Sequence, residues 1–332
     1  MRLPRPESEG ALVTLAKIEK LDRLVEAGVE ARTAEGGSLW HQSLRRMRRS
    51  PMAITGAAIV GLFLLIAILG PWIAPHSSTA QEWGDEVFLN RNIFPGPRAE
   101  NWFGLDHLGR DMFSRMVVGA RQTLLVGVVA TLIGFAAGAV VGGVAAASGI
   151  FGGRWGQRIE SVIMRSVDVA LAIPMLLLAL SIAAMLGPSL TTVMVAVGVA
   201  QIPIFARLLR GSMLAQAHSD YVMAAISLGV PKSRIVISHI FPNSLGPVIV
   251  QATLVLATAI IEAAALSYLG LGNPDPGSAE WGTMLADAQR FLAGAPQLAI
   301  YPAVGIIITA LGFTLLGEAM RESLDPRLRR EQ

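Results

Sequence analysis

Long uncharged apolar runs, each long enough to cross a bilayer, constrain this chain more than any other feature. A transmembrane helix needs about 20 predominantly apolar residues. Six segments reach this length: 52–74, 121–148, 159–186, 190–213, 246–271 and 298–317. Only 15% of the 332 residues are charged, whereas soluble domains carry about 25%. The pattern predicts an all-α membrane protein with six transmembrane helices and argues against a soluble enzyme.

The first and third spans have informative boundaries. The first begins at Ser50 and Pro51, a pair typical of helix starts. Fifty residues precede it and no small-residue cleavage pattern follows, so we do not interpret it as a signal peptide. The third carries Glu160, Arg165 and Asp168 in its first turns. We expect these three residues at the membrane interface, with the apolar stretch beginning after them.

The basic residues are distributed unequally between the two sides that six spans define. One side holds 21 Lys and Arg and the other holds 6. Because cytoplasmic loops are enriched in Lys and Arg, both termini are predicted to be cytoplasmic. The predicted organisation is a cytoplasmic extension (1–50), a first transmembrane helix (51–75), an extracytoplasmic segment (76–120), a five-helix core (121–320) containing a cytoplasmic loop (214–245), and a cytoplasmic tail (321–332). Apolar residues at Leu12, Leu15, Ile18, Leu21, Leu24 and Val25, set among charged residues, predict an amphipathic helix within 1–44.

The sequence lacks the residues and motifs that several classes of function require. The chain has no cysteine, so disulfides and thiolate chemistry are excluded. It has no H-E-x-x-H pair, no G-x-S-x-G elbow and no phosphate-binding G-x-x-x-x-G-K-[ST] loop. A net charge of +3 and 6% aromatic residues argue against nucleic-acid binding. We therefore predict no catalytic residue, no metal site and no cofactor bound by this chain.

Glu262 is the one clear ionisable residue deep within a predicted span. A carboxylate in hydrocarbon is costly, so this side chain should face a cavity or a partner. Two interpretations stay open. Glu262 either lies on a translocation pathway or forms a structural hydrogen bond between helices.

The predicted cytoplasmic loop 214–245 contains signals for two short helices. Ser219 or Asp220 can cap a helix that runs to residue 228, and Gly229 suits its C-terminal end. A second helix is predicted to follow Pro231 and to stop before Pro242. Two short helices around a glycine would form a compact knob.

This loop resembles the EAA loop of binding-protein-dependent ABC importer permeases. The matching residues are Ala224, Ala225, Gly229 and Pro242, and Met223 replaces the acidic position. In that family the loop forms a coupling helix that docks on an ATPase subunit. The resemblance implies an ATPase-coupling role for Tyr221, Ala224, Ala225, Gly229, Pro242 and Asn243.

Residues 101–124 resemble a segment of the C-type permeases of the dipeptide/oligopeptide/nickel branch. The matching residues are Gly104, Asp106, Gly109, Arg110, Asp111, Ser114, Arg115 and Arg121. Further matches are distributed between about 45 and 330, including Glu262 with Ala263 and Trp281 with Gly282. The resemblance implies an external gate or binding-protein contact, formed by Gly104, Asp106, Gly109, Arg110, Asp111 and Arg115. A self-satisfied, salt-bridged turn is the alternative.

The resemblance implies the permease fold of a type I ABC importer in the bacterial cell membrane, working by alternating access. The expected partners are a second homologous permease subunit, two ATPase subunits or domains, an extracytoplasmic substrate-binding protein and the lipid bilayer. ATP and magnesium would bind the partner subunits, so this chain would not be an enzyme. The implied cargo is dipeptides or short oligopeptides, with nickel and haem as variants. The alternative function is a stand-alone ion-coupled secondary transporter.

Overall fold

The computed structural model describes residues 46–89 and 95–324, and this part of the chain is helical. Its helices are α1 (Pro51–Ile73), α2 (Gly84–Leu89), α3 (Met112–Phe151), α4 (Gly153–Ala172), α5 (Met175–Leu186), α6 (Leu190–Gln216), α7 (Asp220–Ser227), α8 (Lys232–Leu271), α9 (Trp281–Ala288) and α10 (Gln297–Leu324). Strand pairing in the same ranges is limited to one antiparallel bridge between Leu105 and Asp111. The predicted amphipathic helix in 1–44 and the tail residues 325–332 lie outside the described residues.

Five helices are long and apolar enough to cross a membrane, namely α1, α3, α6, α8 and α10. They contain or coincide with five of the six predicted spans. The sixth candidate is the pair α4 and α5, which is bent by 93°. The all-α, multi-span architecture predicted from hydropathy is therefore confirmed.

The predicted third span, 159–186, is broken and is not a continuous helix. Pro174 lacks a backbone N–H and disfavours helical geometry in the residue before it. Ile173 accordingly adopts an extended conformation, with φ −84° and ψ 129°. The apolar helix that follows, α5, has 12 residues and is about 18 Å long, too short to cross the bilayer alone.

The start of α1 agrees with the sequence prediction. The Ser50 side chain accepts a hydrogen bond from the Ala53 backbone N–H, and Pro51 occupies the first turn. Proline fits there because the N–H that it lacks would have no partner within the helix.

Helices α3 and α6 run side by side in the same direction and form the centre of the bundle. Gly134 of α3 packs on Gly198 and Gln201 of α6, and Gly142, further along α3, packs on Ala206, further along α6. A Cβ atom added to Gly142 would stand 2.3 Å from the Ala206 carbonyl oxygen. Small residues permit this close approach of two membrane helices.

The second short helix predicted after Pro231 does not stop before Pro242, so this boundary is wrong. Lys232 begins a 40-residue helix, α8, that continues to Leu271. A π-helical turn at Val236–Ile240 precedes Pro242. The wider turn changes the hydrogen-bond register, and Pro242 then occupies the first turn of a new α-helical segment, where a missing N–H is tolerated.

Candidate functional site

Helix α7, which lies between α6 and α8 in the chain, has an exposed apolar surface. Val222 and Ala225 of α7 are buried against the bundle. Tyr221, Met223, Ile226 and Leu228 are exposed. The helix is therefore anchored through one face and presents an apolar surface outward, which we call the α7 surface.

The residues predicted to couple to an ATPase differ in their exposure to solvent. Tyr221, Ala224 and Gly229 are exposed at or beside the α7 surface, whereas Ala225 is turned inward. Gly229 has a φ of +73°, and a Cβ atom there would meet no neighbour within 4 Å. Glycine is thus required by the backbone conformation and not by crowding.

Pro242 and Asn243 lie on α8, beyond the π-helical turn. Both are exposed, and the Asn243 side-chain amide donates to the His239 carbonyl oxygen at 2.7 Å. The ATPase-coupling role of these residues stays a prediction.

The predicted gate residues form a buried charged cluster at the start of α3. Asp106 Oδ2 lies 2.6 Å from Arg110 Nε and 3.4 Å from Arg115 Nε. Asp106 Oδ1 accepts the backbone N–H groups of Leu108 and Arg110, each at 2.9 Å. Both arginine side chains are only 1% exposed. We call Asp106, Arg110 and Arg115 the arginine cluster.

The arginine cluster joins segments that are far apart in sequence. Arg115 donates to the carbonyl oxygens of Ser78 and Ser278, each at 3.2 Å, and Arg110 donates to that of Pro276. The segment before α3 and the segment before α9 are thereby held together.

Asp111 orders the first turn of α3 beside this cluster. Its side chain accepts the Ser114 backbone N–H at 2.7 Å and the Asn101 side-chain amide at 3.0 Å. An acidic N-cap also interacts favourably with the positive end of the helix dipole.

Gly104 and Gly109 fold the turn that carries these charges. Their φ angles are +73° and +75°. Cβ atoms there would stand 2.5 Å from the Pro95 carbonyl oxygen and 2.4 Å from the Gly84 nitrogen. The six predicted residues therefore do come together, but the cluster also contacts distant segments, and Arg110 Nη2 has no hydrogen-bond partner among the described residues, so it is not a turn satisfied by itself. Their role as a gate or as a binding-protein contact stays a prediction.

Two further titratable groups, the buried Glu280 and the half-buried His107, lie near this end of the protein. Burial raises the pKa of the Glu280 carboxyl, partly offset by hydrogen bonds from the Ser267 hydroxyl and the Asn273 backbone N–H. Burial lowers the pKa of His107, whose ring stacks on Phe291 with centroids 5.4 Å apart. Among the residues that the structure describes, no group of three His, Asp or Glu side chains is placed to hold a metal ion.

The arginine cluster and the α7 surface lie at opposite ends of α3. The cluster adjoins Met112, where α3 begins. Lys232, five residues beyond the end of α7, lies against Phe151, where α3 ends, with its Nζ atom 5.9 Å from the ring centroid. A helix of 40 residues is about 60 Å long. This length exceeds the hydrocarbon core of a bilayer, which is about 30 Å thick, so the two features are far enough apart to lie on opposite sides of a membrane.

A cavity of about 700 Å³ opens between α4, α6 and α8. Its polar lining includes Arg207, Ser212 and Gln216 of α6 and Gln251 of α8. Arg207 forms an ion pair with Asp168 of α4. The sequence analysis did not find this cavity, because its lining comes from three helices that hydropathy treats separately.

Glu262 lies on the same face of α8 as the cavity residue Gln251. Thr258 and Glu262 follow Gln251 by seven and eleven residues, which is about two and three helical turns. Glu262 Oε2 is shielded from solvent and accepts no hydrogen bond from any described residue. One interpretation of the sequence was that Glu262 forms a hydrogen bond between helices. No described residue donates such a bond to Oε2. We call Gln251, Thr258 and Glu262 the polar stripe.

The helical bundle, the cavity in its side and the exposed apolar helix at one end are features of a membrane permease. Residues 145–330 match the family described as binding-protein-dependent transport system inner membrane component. Residues 38–92 match the N-terminal transmembrane domain of oligopeptide transport permease C. The chain belongs to this family of transport permeases, as its sequence resemblance predicted.

Curated relatives cover most of the chain. The dipeptide transport system permease protein DppC of Alkalihalophilus pseudofirmus is 40% identical over 292 residues, which is 88% of this chain and 91% of the relative. The glutathione transport system permease protein GsiD of Escherichia coli O157:H7 is 40% identical over 290 residues, 87% of this chain and 91% of the relative.

A solved structure supports the fold. A chain of the MetNI methionine ABC transporter, solved in inward facing conformations, aligns with a TM-score of 0.52 and 19% identity. The alignment covers 64% of this chain and 98% of that chain. The chain therefore has the ABC transporter permease fold.

Proposed function

We propose that this chain is a permease subunit through which an ATP-driven importer moves dipeptides or short oligopeptides into the bacterial cytoplasm. The observation that carries the proposal is the 40% identity, over most of both chains, to permeases named for dipeptide and glutathione transport. Glutathione is itself a small peptide, so the two names share a substrate class.

The α7 surface is the proposed site of energy coupling. Exposed apolar side chains on a solvent-side helix are typical of a surface that another protein covers. An ATPase subunit seated there would push α7 when it closes on ATP. Val222 and Ala225 pack α7 onto the same hydrophobic cluster as residues of α6 and α8, so this push would reach the helices that line the cavity.

The cavity and the polar stripe are proposed to line this subunit's half of the translocation pathway. Amide, hydroxyl and charged side chains suit a peptide, whose backbone needs hydrogen-bond partners when it leaves water. A second, homologous permease subunit facing the stripe would complete the pathway. Glu262 would then lie at the subunit boundary, about three turns above the cavity.

The remaining partners and the orientation follow from the same proposal. Two ATPase subunits or domains, with ATP and magnesium, would bind at the α7 end, which the distribution of basic residues predicts to be cytoplasmic. An extracytoplasmic binding protein would deliver the peptide at the end that carries the arginine cluster. Both termini would be cytoplasmic in the bacterial inner membrane, and this chain would have no catalytic activity of its own.

The coupling site can be tested with two matched leucines. Leu228 follows α7 and is 83% exposed, and Leu89 ends α2 and is 84% exposed. We expect Leu228→Asp to abolish dipeptide uptake and co-purification of the ATPase, and Leu89→Asp to preserve co-purification. Loss of the ATPase from neither variant, or from both equally, would contradict the coupling role of α7.

The alternative, an ion-coupled transporter acting alone, makes a different prediction. Its supporting observation is the unpartnered Glu262 oxygen, since such transporters use ionisable residues within the membrane. Proteoliposomes containing only this chain should then accumulate labelled dipeptide under a proton gradient without ATP. We expect no accumulation until the partner subunits and ATP are supplied.

A further inference from the structure

Two ion pairs join α4 to α6, and they differ in their exposure to solvent. Asp168 pairs with Arg207, and these side chains are 57% and 55% exposed. Glu160 pairs with Arg210 at 2.6 Å, and the Glu160 side chain is only 14% exposed. A ligand in solution can therefore reach both charges of the first pair, whereas the carboxylate of the second pair is largely enclosed.

The second pair is the one that fastens α4 to its neighbours. Glu160 Oε1 accepts hydrogen bonds from Arg210 Nε at 2.8 Å and from Arg210 Nη2 at 2.6 Å. The same carboxylate packs on Gly149 of α3, where an added Cβ atom would stand 1.9 Å from Glu160 Oε2. Because exposed ion pairs contribute little to stability, Asp168 and Arg207 can separate without loss of the packing between α4 and α6.

The exposed ion pair lies at the edge of the cavity between α4, α6 and α8. Arg207 lines this cavity, and so does Leu171, which follows Asp168 by about one helical turn. Among the described residues that line the cavity, Arg207 is the only charged one. The volume of about 700 Å³ falls within the range of about 300–1,000 Å³ that is typical of small-molecule sites.

The cavity belongs to the end of the bundle that carries α7. Its lining on α6 extends from Ile204 to Gln216, the last residue of that helix. Along α8, Glu262 lies eleven residues, or about 16 Å, further from this end than the cavity residue Gln251. A peptide that enters at the opposite end would therefore pass Glu262 before it reaches the cavity.

We infer that Asp168 and Arg207 form a subsite that binds both ends of a dipeptide, an inference that rests on the proposed role of the cavity in the translocation pathway. The Asp168 carboxylate accepts hydrogen bonds from the N-terminal ammonium group, and the Arg207 guanidinium donates to the C-terminal carboxylate. A zwitterionic peptide brings one charge of each sign, so each side chain exchanges one ion pair for another. A peptide with one blocked end would leave one of the two side chains unpaired.

The reactivity of a cysteine in the cavity measures this binding without transport. The chain has no cysteine, and Gly211 lines the cavity with no atom within 4 Å of an added Cβ atom. The full-length Gly211→Cys variant, purified in detergent, is labelled with a maleimide in the presence of dialanine, N-acetyl-dialanine or dialanine amide. We expect dialanine to protect the cysteine at a concentration about two- to fivefold lower than either blocked peptide, which is the effect of one exposed ion pair. Equal protection by all three peptides, or protection by none, would refute the inference.

Variants in the Gly211→Cys background assign each end of the peptide. Asp168→Asn should remove the advantage of dialanine over N-acetyl-dialanine and keep its advantage over the amide, and Arg207→Gln should do the reverse. The matched control combines Glu160→Gln with Arg210→Gln, which removes the neighbouring ion pair as a unit and should keep both advantages. Loss of both advantages in this control would show that the contact between α4 and α6, and not the charges at the cavity, causes the preference.

A separate uptake measurement distinguishes failure of this inference from failure of the proposed function. Proteoliposomes that contain the chain with its partner subunits are assayed for ATP-driven uptake of dialanine. Uptake together with equal protection by the three peptides would support the proposed function and refute the subsite. Selective protection by dialanine without any uptake would refute the proposed function and leave Asp168 and Arg207 as a dipeptide-binding site.

Discussion

Replacing Gly142 with alanine tests the close packing of α3 against α6. The new Cβ atom would stand 2.3 Å from the Ala206 carbonyl oxygen, about 1.1 Å inside the 3.4 Å at which ordinary van der Waals contact begins. A backbone oxygen cannot rotate away, so the two helices must separate locally. The adjacent Gly143 provides the matched control, since a Cβ atom there has its nearest neighbour at 3.9 Å.

The magnitude follows from comparing the two variants. Overpacking a close-packed interior costs about 1–3 kcal/mol, and the backbone contact at Gly142 puts this variant in the upper part of that range. Alanine also gains about 0.5–1 kcal/mol over glycine in a helix. This gain is common to both variants and cancels in the comparison. We therefore expect Gly142→Ala to be about 2–3 kcal/mol less stable than Gly143→Ala.

Equilibrium unfolding in mixed micelles, followed by circular dichroism, measures this difference. Gly143→Ala should unfold at the same denaturant concentration as the unmodified chain or at a higher one, and Gly142→Ala at a clearly lower one. Equal midpoints for the two variants would refute the backbone contact between α3 and α6. Reduced transport by Gly142→Ala without a stability change would also contradict a packing role.

Two further predictions concern buried charges. Asp106→Asn removes the carboxylate that Arg110 and Arg115 share, leaves Arg110 only the longer contact with Asp287 at 4.0 Å, and should cost about 3–5 kcal/mol. Glu86→Gln, which breaks a partly exposed ion pair, should cost less than about 1 kcal/mol; comparable unfolding midpoints would contradict the buried cluster. The raised pKa of Glu280 means that its neutral form stabilises the fold, so this contribution is complete below pH 4.5 and is lost as the pH rises through the raised pKa. Glu280→Gln keeps an acceptor for the Ser267 hydroxyl and should flatten the pH dependence of the unfolding midpoint. If the midpoint changes with pH equally in the variant and in the unmodified chain, Glu280 does not cause this pH dependence.

Local signals in the sequence predicted the elements of the fold well. Ser50 and Pro51 begin α1 as expected, and Gly229 adopts the left-handed conformation expected after α7. Each of these features depends on residues adjacent in the chain. The helix end predicted before Pro242 is wrong because a π-helical turn, which has no simple sequence signal, accommodates this proline within α8.

The candidate site was predicted less completely. The residues around Asp106 were identified, but whether their charges face outward or inward depends on segments distant in sequence. The glycines at 134, 138 and 142 of α3 recur every four residues, a small-residue spacing that could have indicated the packing on α6. The cavity between α4, α6 and α8 had no comparable signal.

The sequence by itself determined the class of protein, the positions of five spans and the family, because hydropathy, helix-start residues and motif residues are all read along a continuous stretch of chain. The tertiary structure decided which surfaces are available. It buries Arg110 and Arg115 through contacts with residues 166 and 163 positions away. It also leaves the α7 surface exposed. The physical reason is that burial and charge pairing depend on the approach of distant segments, whereas the spans depend on local apolar composition.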